Sequence, residues 1–156
     1  MSDIREARLH KANALVSKGF DSYAESFNVS HHTNFLIEKF DYLENGQEED
    51  FRVSIAGRVM AKRVMGKIAF FTISDQEGQI QLYLDKRIIN RDLENQRLLS
   101  FEDIKEIVDI GDWIGVYGTI KKTNKGELSI KVENWEMLSK SLQPLPDKWH
   151  GLTDIE

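Results

Sequence analysis

Phe70, Gln81 and Glu127 are the side chains whose types and positions in this sequence suit chemistry with a partner. A ring that faces outward from a strand offers a flat apolar surface, and every nucleobase has a face that can stack on it. An amide and a carboxylate nearby can then read the hydrogen-bonding edge of the stacked base. Two clusters supply cations for phosphates: Arg58, Lys62, Arg63 and Lys67 lie within ten residues of one another, and Lys121, Lys122 and Lys125 follow later. Together these are the ingredients of single-stranded nucleic-acid recognition. The sequence leaves plainer uses open for the same residues. Phe70 would serve equally as a surface covered by helices from earlier in the chain, and Gln81 and Glu127 as solvated strand residues. The run from Arg58 to Lys67 would equally blunt an exposed strand edge.

No residue set points to catalysis, because the chain has no Gly-rich phosphate loop, no His-Glu-x-x-His and no nucleophile motif. The adjacent His31 and His32 diverge in direction and have no third ligand spaced nearby, so no metal site is expected there. With Cys 0, disulfides, thiolate ligands and thiol nucleophiles are excluded, and a reducing, cytoplasmic setting is expected. Lys and Arg number 21 against 26 Asp and Glu, a net charge of −5, so any nucleic-acid site must be a local patch. No apolar run approaches the roughly 18 to 20 residues that span a bilayer, and the N-terminal residues mix charges without an apolar signal core, so no membrane partner is expected. A chain of 156 residues, 40% hydrophobic and 30% charged, has room for one domain with a real core plus a helical extension.

These side chains need strands to position them. Val53, Ile55, Gly57 and Val59 alternate with Arg52, Ser54, Ala56 and Arg58 from Phe51 onward, the period of a half-buried strand. Residues 67–74 place Ala69, Phe71 and Ile73 on one face against Phe70 and Thr72. The turn at Asp75-Gln76-Glu77-Gly78 then returns the chain through Ile80, Leu82 and Leu84 against Gln81 and Tyr83. Residues 92–109 return to helical spacing, and two more strands follow over 113–121 and 127–138, joined at Asn124-Lys125-Gly126. In the last strand Leu128, Ile130 and Val132 point inward, leaving Glu127, Ser129 and Lys131 outward on the face of Phe70 and Gln81. The predicted fold is mainly β, a five-stranded OB-fold Greek-key barrel in the order β-β-β-α-β-β. A helical N-terminal extension precedes it, with helices over 3–18, capped by Asp3 and Glu6, and over 34–44, capped by Thr33. The acidic residues Glu48, Glu49 and Asp50 are read as a solvated linker, which divides the chain into an extension at 1–50, a barrel at 51–140 and a linker at 141–156.

The runs Gly57-Arg58-Val59-Met60-Ala61-Lys62-Arg63-Val64-Met65-Gly66-Lys67-Ile68-Ala69-Phe70-Phe71 and Gly78-Gln79-Ile80-Gln81-Leu82-Tyr83 resemble the anticodon-binding domain of bacterial-type class II lysyl-tRNA synthetases. The stretch from Gly126 to Ile130 and the tail from Leu138 to Glu156 resemble the same family more than its aspartyl and asparaginyl relatives. The resemblance implies recognition of the U-rich anticodon of lysine tRNA by the barrel face, with the central uridine as chief determinant. Phe70 then matches the stacking aromatic, Gln81 and Glu127 the polar contacts to anticodon bases, and Arg63 the basic contact beside them. It further implies a homodimeric parent enzyme and a catalytic domain carrying the ATP and Mg²⁺ sites, expected to lie beyond Glu156, where the tail from Pro144 is expected to be loosely ordered. Two other uses stay open: a stand-alone module that binds single strands without base choice, and a dimerisation or interaction piece acting through the helix at 3–18.

Overall fold

Alternation of apolar side chains closes five strands into a barrel. In the computed structural model, which describes residues 4–8, 11, 27–91 and 100–141, these are β1 (Glu48–Met65), β2 (Ile68–Ser74), β3 (Gln79–Asp85), β4 (Trp113–Lys122) and β5 (Leu128–Ser139). They close in the order β1-β2-β3-β5-β4, with β1 paired to β4. All neighbours are antiparallel except β3 and β5, which run parallel and set Gln81 beside Ser129. Val53, Ile55, Val59, Phe71, Ile73, Ile80, Leu82, Leu84, Ile130 and Val132 are buried in the core, as their parity predicts. The mainly β barrel expected from the sequence is therefore the fold.

Three short helices flank the strands. In α1 (Thr33–Lys39), Leu36 joins Phe40 and Leu43 just beyond the helix in the core. Thr33, expected to cap this helix, is its first residue instead, and the cap position is held by His32 without a side-chain hydrogen bond. The acceptor comes from the β2–β3 turn: the Thr33 amide and hydroxyl donate to Asp75 at 2.9 and 2.8 Å. Burial alone would raise the Asp75 carboxyl, but these bonds and those from the Glu77 and Gly78 amides hold it below its usual value. The helical region between β3 and β4 is described as α2 (Lys86–Ile89), which sequence periodicity missed, and α3 (Phe101–Ile107), with residues 92–99 outside the described set. Ser100 and Asp103 form a reciprocal capping box at the start of α3. Of the helix expected over 3–18, residues 4–8 are helical and most of the rest lies outside the described residues, as do residues 142–156.

Two expectations are corrected. The acidic residues Glu48, Glu49 and Asp50 are no linker: β1 begins at Glu48, whose carboxylate holds Lys121 at 3.1 Å and Lys131 at 2.8 Å. The first strand also runs on to Met65 with one extra residue. Val59 faces Ile73 while Ala61 faces Thr72, so Met60 bulges and the side-chain parity of β1 flips beyond it. Before the flip Val59 faces the core; after it Lys62 pairs with Phe71 and Arg63 with Phe70. The bulge is held from the α3–β4 loop, where Gly111 N donates to Val59 O at 2.8 Å and Val59 N donates to Asp112 O at 2.7 Å.

That loop carries a buried ionic cluster. The Lys140 ammonium, just past β5 and almost wholly enclosed, donates to Asp112 at 2.5 Å and to Asp109 at 2.7 Å. Lys11 reaches the other oxygen of Asp109 at 2.8 Å, which ties the N-terminal segment to the same loop.

Candidate nucleic-acid interface

Phe70 and Tyr83 face each other across β2 and β3, with ring centroids 5.8 Å apart, and form an aromatic floor on the outside of the barrel. The floor belongs to a cavity of about 450 Å³ that is also lined by Arg63, Gln81 and Glu127. The parity flip at Met60 brings Arg63 here, where its guanidinium lies 5.3 Å from the Phe70 ring centre. Gln81 comes from the middle of β3, and Glu127 from the residue before β5, where its side chain is exposed. Thr123 fixes that corner: its hydroxyl accepts from the Glu127 amide at 3.1 Å and its own amide donates to Glu127 O at 3.0 Å. The four residues singled out in the sequence, Arg63, Phe70, Gln81 and Glu127, thus share one concave surface. The described N-terminal residues pack elsewhere: Lys11 at Asp109, and Phe27 against Tyr117 on β4.

The cations do not gather as one edge. Lys121 and Lys125 line the cavity, and the Lys121 ammonium sits 5.3 Å from the Tyr83 ring centre. Lys62, on the core side of the flipped strand, donates to Lys105 O and Val108 O at 2.6 Å each and closes the end of α3. Burial lowers its pKa below the usual lysine value. Arg58 lies over Trp113 before the bulge, Lys67 is exposed in the β1–β2 turn, and Lys122 donates to Asp41 O at 3.2 Å. None of these four lines the cavity. Tyr83 and Met65 line it and were not singled out. Tyr83 was within reach, because the hairpin register pairs it with Phe70, whereas nothing in the spacing marks Met65.

Glu48 sets the charge of this surface. The hydrogen bonds from Lys131 and Lys121 outweigh partial burial and hold its carboxyl below the usual value, so it is ionised and neutralises part of the lysine charge beside the cavity. Glu48→Gln is expected to steepen the dependence of RNA binding on salt by about 0.7 in log–log slope for each lysine freed to meet a phosphate. A titration series across salt concentrations reads this directly, and an unchanged slope would show that neither lysine reaches a phosphate.

A small barrel with an outward aromatic floor, polar side chains beside it and bordering cations is the arrangement of an OB-fold nucleic-acid-binding domain. The family model of the OB-fold nucleic acid binding domain matches residues 53–138, and the chain belongs to that family. More particularly, it is similar to lysine–tRNA ligases. That of Prochlorococcus marinus (strain MIT 9312) is 90% identical over 156 residues, 100% of this chain and 30% of the relative. That of P. marinus (strain MIT 9515) is 78% identical over 156 residues, again 100% of this chain and 30% of the relative. That of Synechococcus sp. (strain RCC307) is 53% identical, with the same 100% and 30% covered. The chain thus spans about 30% of the length of the curated relatives it matches.

Among the described residues, no group of three or more His, Asp or Glu side chains could hold a metal ion. The cavity sets Arg63, Lys121 and Lys125 beside an aromatic floor, and no Gly-rich phosphate loop lines it. No described helix is long and apolar enough to cross a membrane.

Proposed function

We propose that this chain binds the anticodon loop of lysine tRNA in the Phe70 cavity and reads uridine there, as part of a cytoplasmic lysine–tRNA ligase. The observation that carries the reading is the convergence of Phe70, Gln81, Glu127 and Arg63 on one outward surface. Similarity to lysine–tRNA ligases over the whole chain supports the choice of tRNA. Aminoacylation, with its ATP and Mg²⁺, and the dimer belong to the full-length ligase in this reading.

The mechanism follows from the chemistry of the lining. Stacking on Phe70 supplies affinity without choice, because every base has a π face. Choice comes from acceptors: a carboxylate at Glu127 accepts from the imino N–H of uridine and repels the lone pair that cytidine carries at the same ring position. Arg63, Lys121 and Lys125 lie where a backbone entering the cavity brings its phosphates.

Titration with anticodon stem-loops that differ only by uridine or cytidine at the central position tests this. A preference for uridine of about tenfold or more, ~1.4 kcal/mol, is expected. Glu127→Gln is expected to shrink that preference more than it weakens uridine binding, because the amide can turn a donor toward cytidine. Equal binding of both loops by the native chain would favour a barrel that takes single strands without base choice. Absence of binding to either, with loss of function only on changing the helix at 3–18, would favour an interaction module.

A further inference from the structure

Ser129 is outward by parity yet fully buried, and it is paired in register with Gln81 on one side and Lys121 on the other. Its hydroxyl has one proton, and that proton goes to Glu127 O at 3.2 Å. The oxygen is left as an acceptor, and it accepts from Nε2 of Gln81 at 2.9 Å. Turning the amide over would set two acceptors together unless the hydroxyl proton left Glu127 O for the Gln81 carbonyl. The observed orientation of the Gln81 amide is therefore favoured by the bond that Ser129 keeps to Glu127 O. That amide retains its carbonyl oxygen and one N–H, and among the described residues no other hydrogen bond is made by its side chain.

We infer that Ser129 is a positioning residue that fixes the amide of Gln81 so that the cavity accepts uracil and rejects cytosine. Uracil carries an N–H at ring position 3 beside a carbonyl, which complements an acceptor and a donor held in fixed places; since that N–H is one proton, Gln81 and Glu127 read different bases of the loop. Cytosine in the same pose sets its ring nitrogen lone pair against the carbonyl oxygen and its amine against the N–H. A free amide would escape both conflicts by turning over, and with Ser129 present the turn costs the hydroxyl's bond to Glu127 O. The role rests on the reading of the cavity as an RNA site, but the orientation of the amide can be checked without RNA. Selectivity in this arrangement comes from rejection of the wrong base more than from extra attraction for the right one.

The test uses Ser129→Ala and Ser129→Cys, the second retaining a side chain beyond Cβ but offering only a weak sulfur acceptor. In the free protein, the side-chain amide proton of Gln81 that Ser129 accepts is expected to be protected from exchange with water relative to its partner on the same nitrogen, and in both variants to lose that protection. Binding is then measured to stem-loops carrying uridine or cytidine at each anticodon position in turn, with Gln81→Met marking the position that Gln81 reads. At that position the uridine preference is expected to fall by about two- to tenfold in both variants, the span of one net hydrogen bond, chiefly through tighter binding of cytidine. Unfolding in urea checks that both variants fold. A preference retained in Ser129→Ala overturns the inference, and so does native-like behaviour of Ser129→Cys with loss only in Ser129→Ala, which would mark a packing role. If the native chain itself shows no preference, the uridine reading fails first. The positioning role is then judged on the free-protein exchange, and protection of that proton retained in both variants overturns it.

Discussion

Lys140→Met is expected to cost about 3–5 kcal/mol of folding stability, the usual penalty for stripping a buried ion pair of one partner. The Lys140 ammonium is almost wholly enclosed and donates to Asp109 and Asp112. The Asp112 side chain has no exposed surface. Methionine preserves the volume and removes the charge, so Asp112 is left with only the amides of Asp109 and Ser141 as donors. Asp109 fares better, because Lys11 still reaches it. The pH dependence separates this cause from lost packing. Burial lifts the Asp112 carboxyl above its ordinary 3.8, even against the hydrogen bonds it receives. A carboxyl whose pKa rises on folding contributes stability below the unfolded value and loses that contribution as pH climbs through the folded one. Removing the ammonium lifts the folded value further. The deficit against the native chain is therefore widest at neutral and alkaline pH and narrows toward 3.8 as Asp112 takes up a proton. Urea unfolding at about pH 8 and about pH 5 measures both halves of the claim. A deficit that is equal at the two values would assign the loss to packing, and one under about 1 kcal/mol would show that water reaches the carboxylate.

The cluster lies away from the cavity but supports its geometry. Asp112 O and Gly111 N bracket Val59, the residue before the Met60 bulge. The bulge turns Arg63 outward and sends Lys62 to the end of α3. A short-range pattern could not foresee it, because Val59, Met60 and Ala61 contain no Gly, no charge and no break in apolar character that would mark an inserted residue. This is why Lys62 reads as a phosphate contact in the sequence and closes a helix in the structure. Glu48 fails for a related reason. Three acids in a row look like solvated linker, and only pairing with β4, and of β4 with β5, brings Lys121 and Lys131 to the first of them.

The legible parts rest on period two and on turn length. Once four residues turn the chain between Ser74 and Gln79, the register follows residue by residue back to Phe70 and Tyr83. Parity then separates Phe71 and Leu82 in the core from Phe70 and Gln81 outside it. Convergence of Glu127 with them requires the parallel pairing of β3 with β5, a contact across 48 residues between Gln81 and Ser129 that no local pattern encodes. The same distance hides Ser129: parity turns it outward, and only the neighbouring strands show that it is buried.

Phe70→Ala is expected to weaken binding of a lysine anticodon stem-loop by about 1–3 kcal/mol, roughly fivefold to 150-fold, with little change in the stability of the free barrel. The asymmetry comes from where the ring sits. Phe71, its neighbour in sequence, is 1% exposed in the core, while Phe70 lines the cavity and touches Tyr83 at its side. Truncating Phe71 would open a cavity at a cost of about 3–5 kcal/mol. Truncating Phe70 removes a surface that the core does not use. In the free protein the Arg63 guanidinium is close to the ring that a base would cover. Entry of a base must displace that contact, which costs about 0.5–1 kcal/mol at an exposed site, and the freed cation can then meet the phosphate of the nucleotide that enters. Arg63→Gln should therefore weaken binding less at high salt than at low salt, whereas the loss in Phe70→Ala should persist at both, because stacking is not screened. Phe70→Leu distinguishes stacking from simple apolar cover: a side chain of similar bulk without a π face should recover stability but not affinity. Full affinity in Phe70→Leu would mean that the base is held by its edges alone. Unfolding of Phe70→Ala at much lower urea than the native chain would mean that the ring belongs to the core after all.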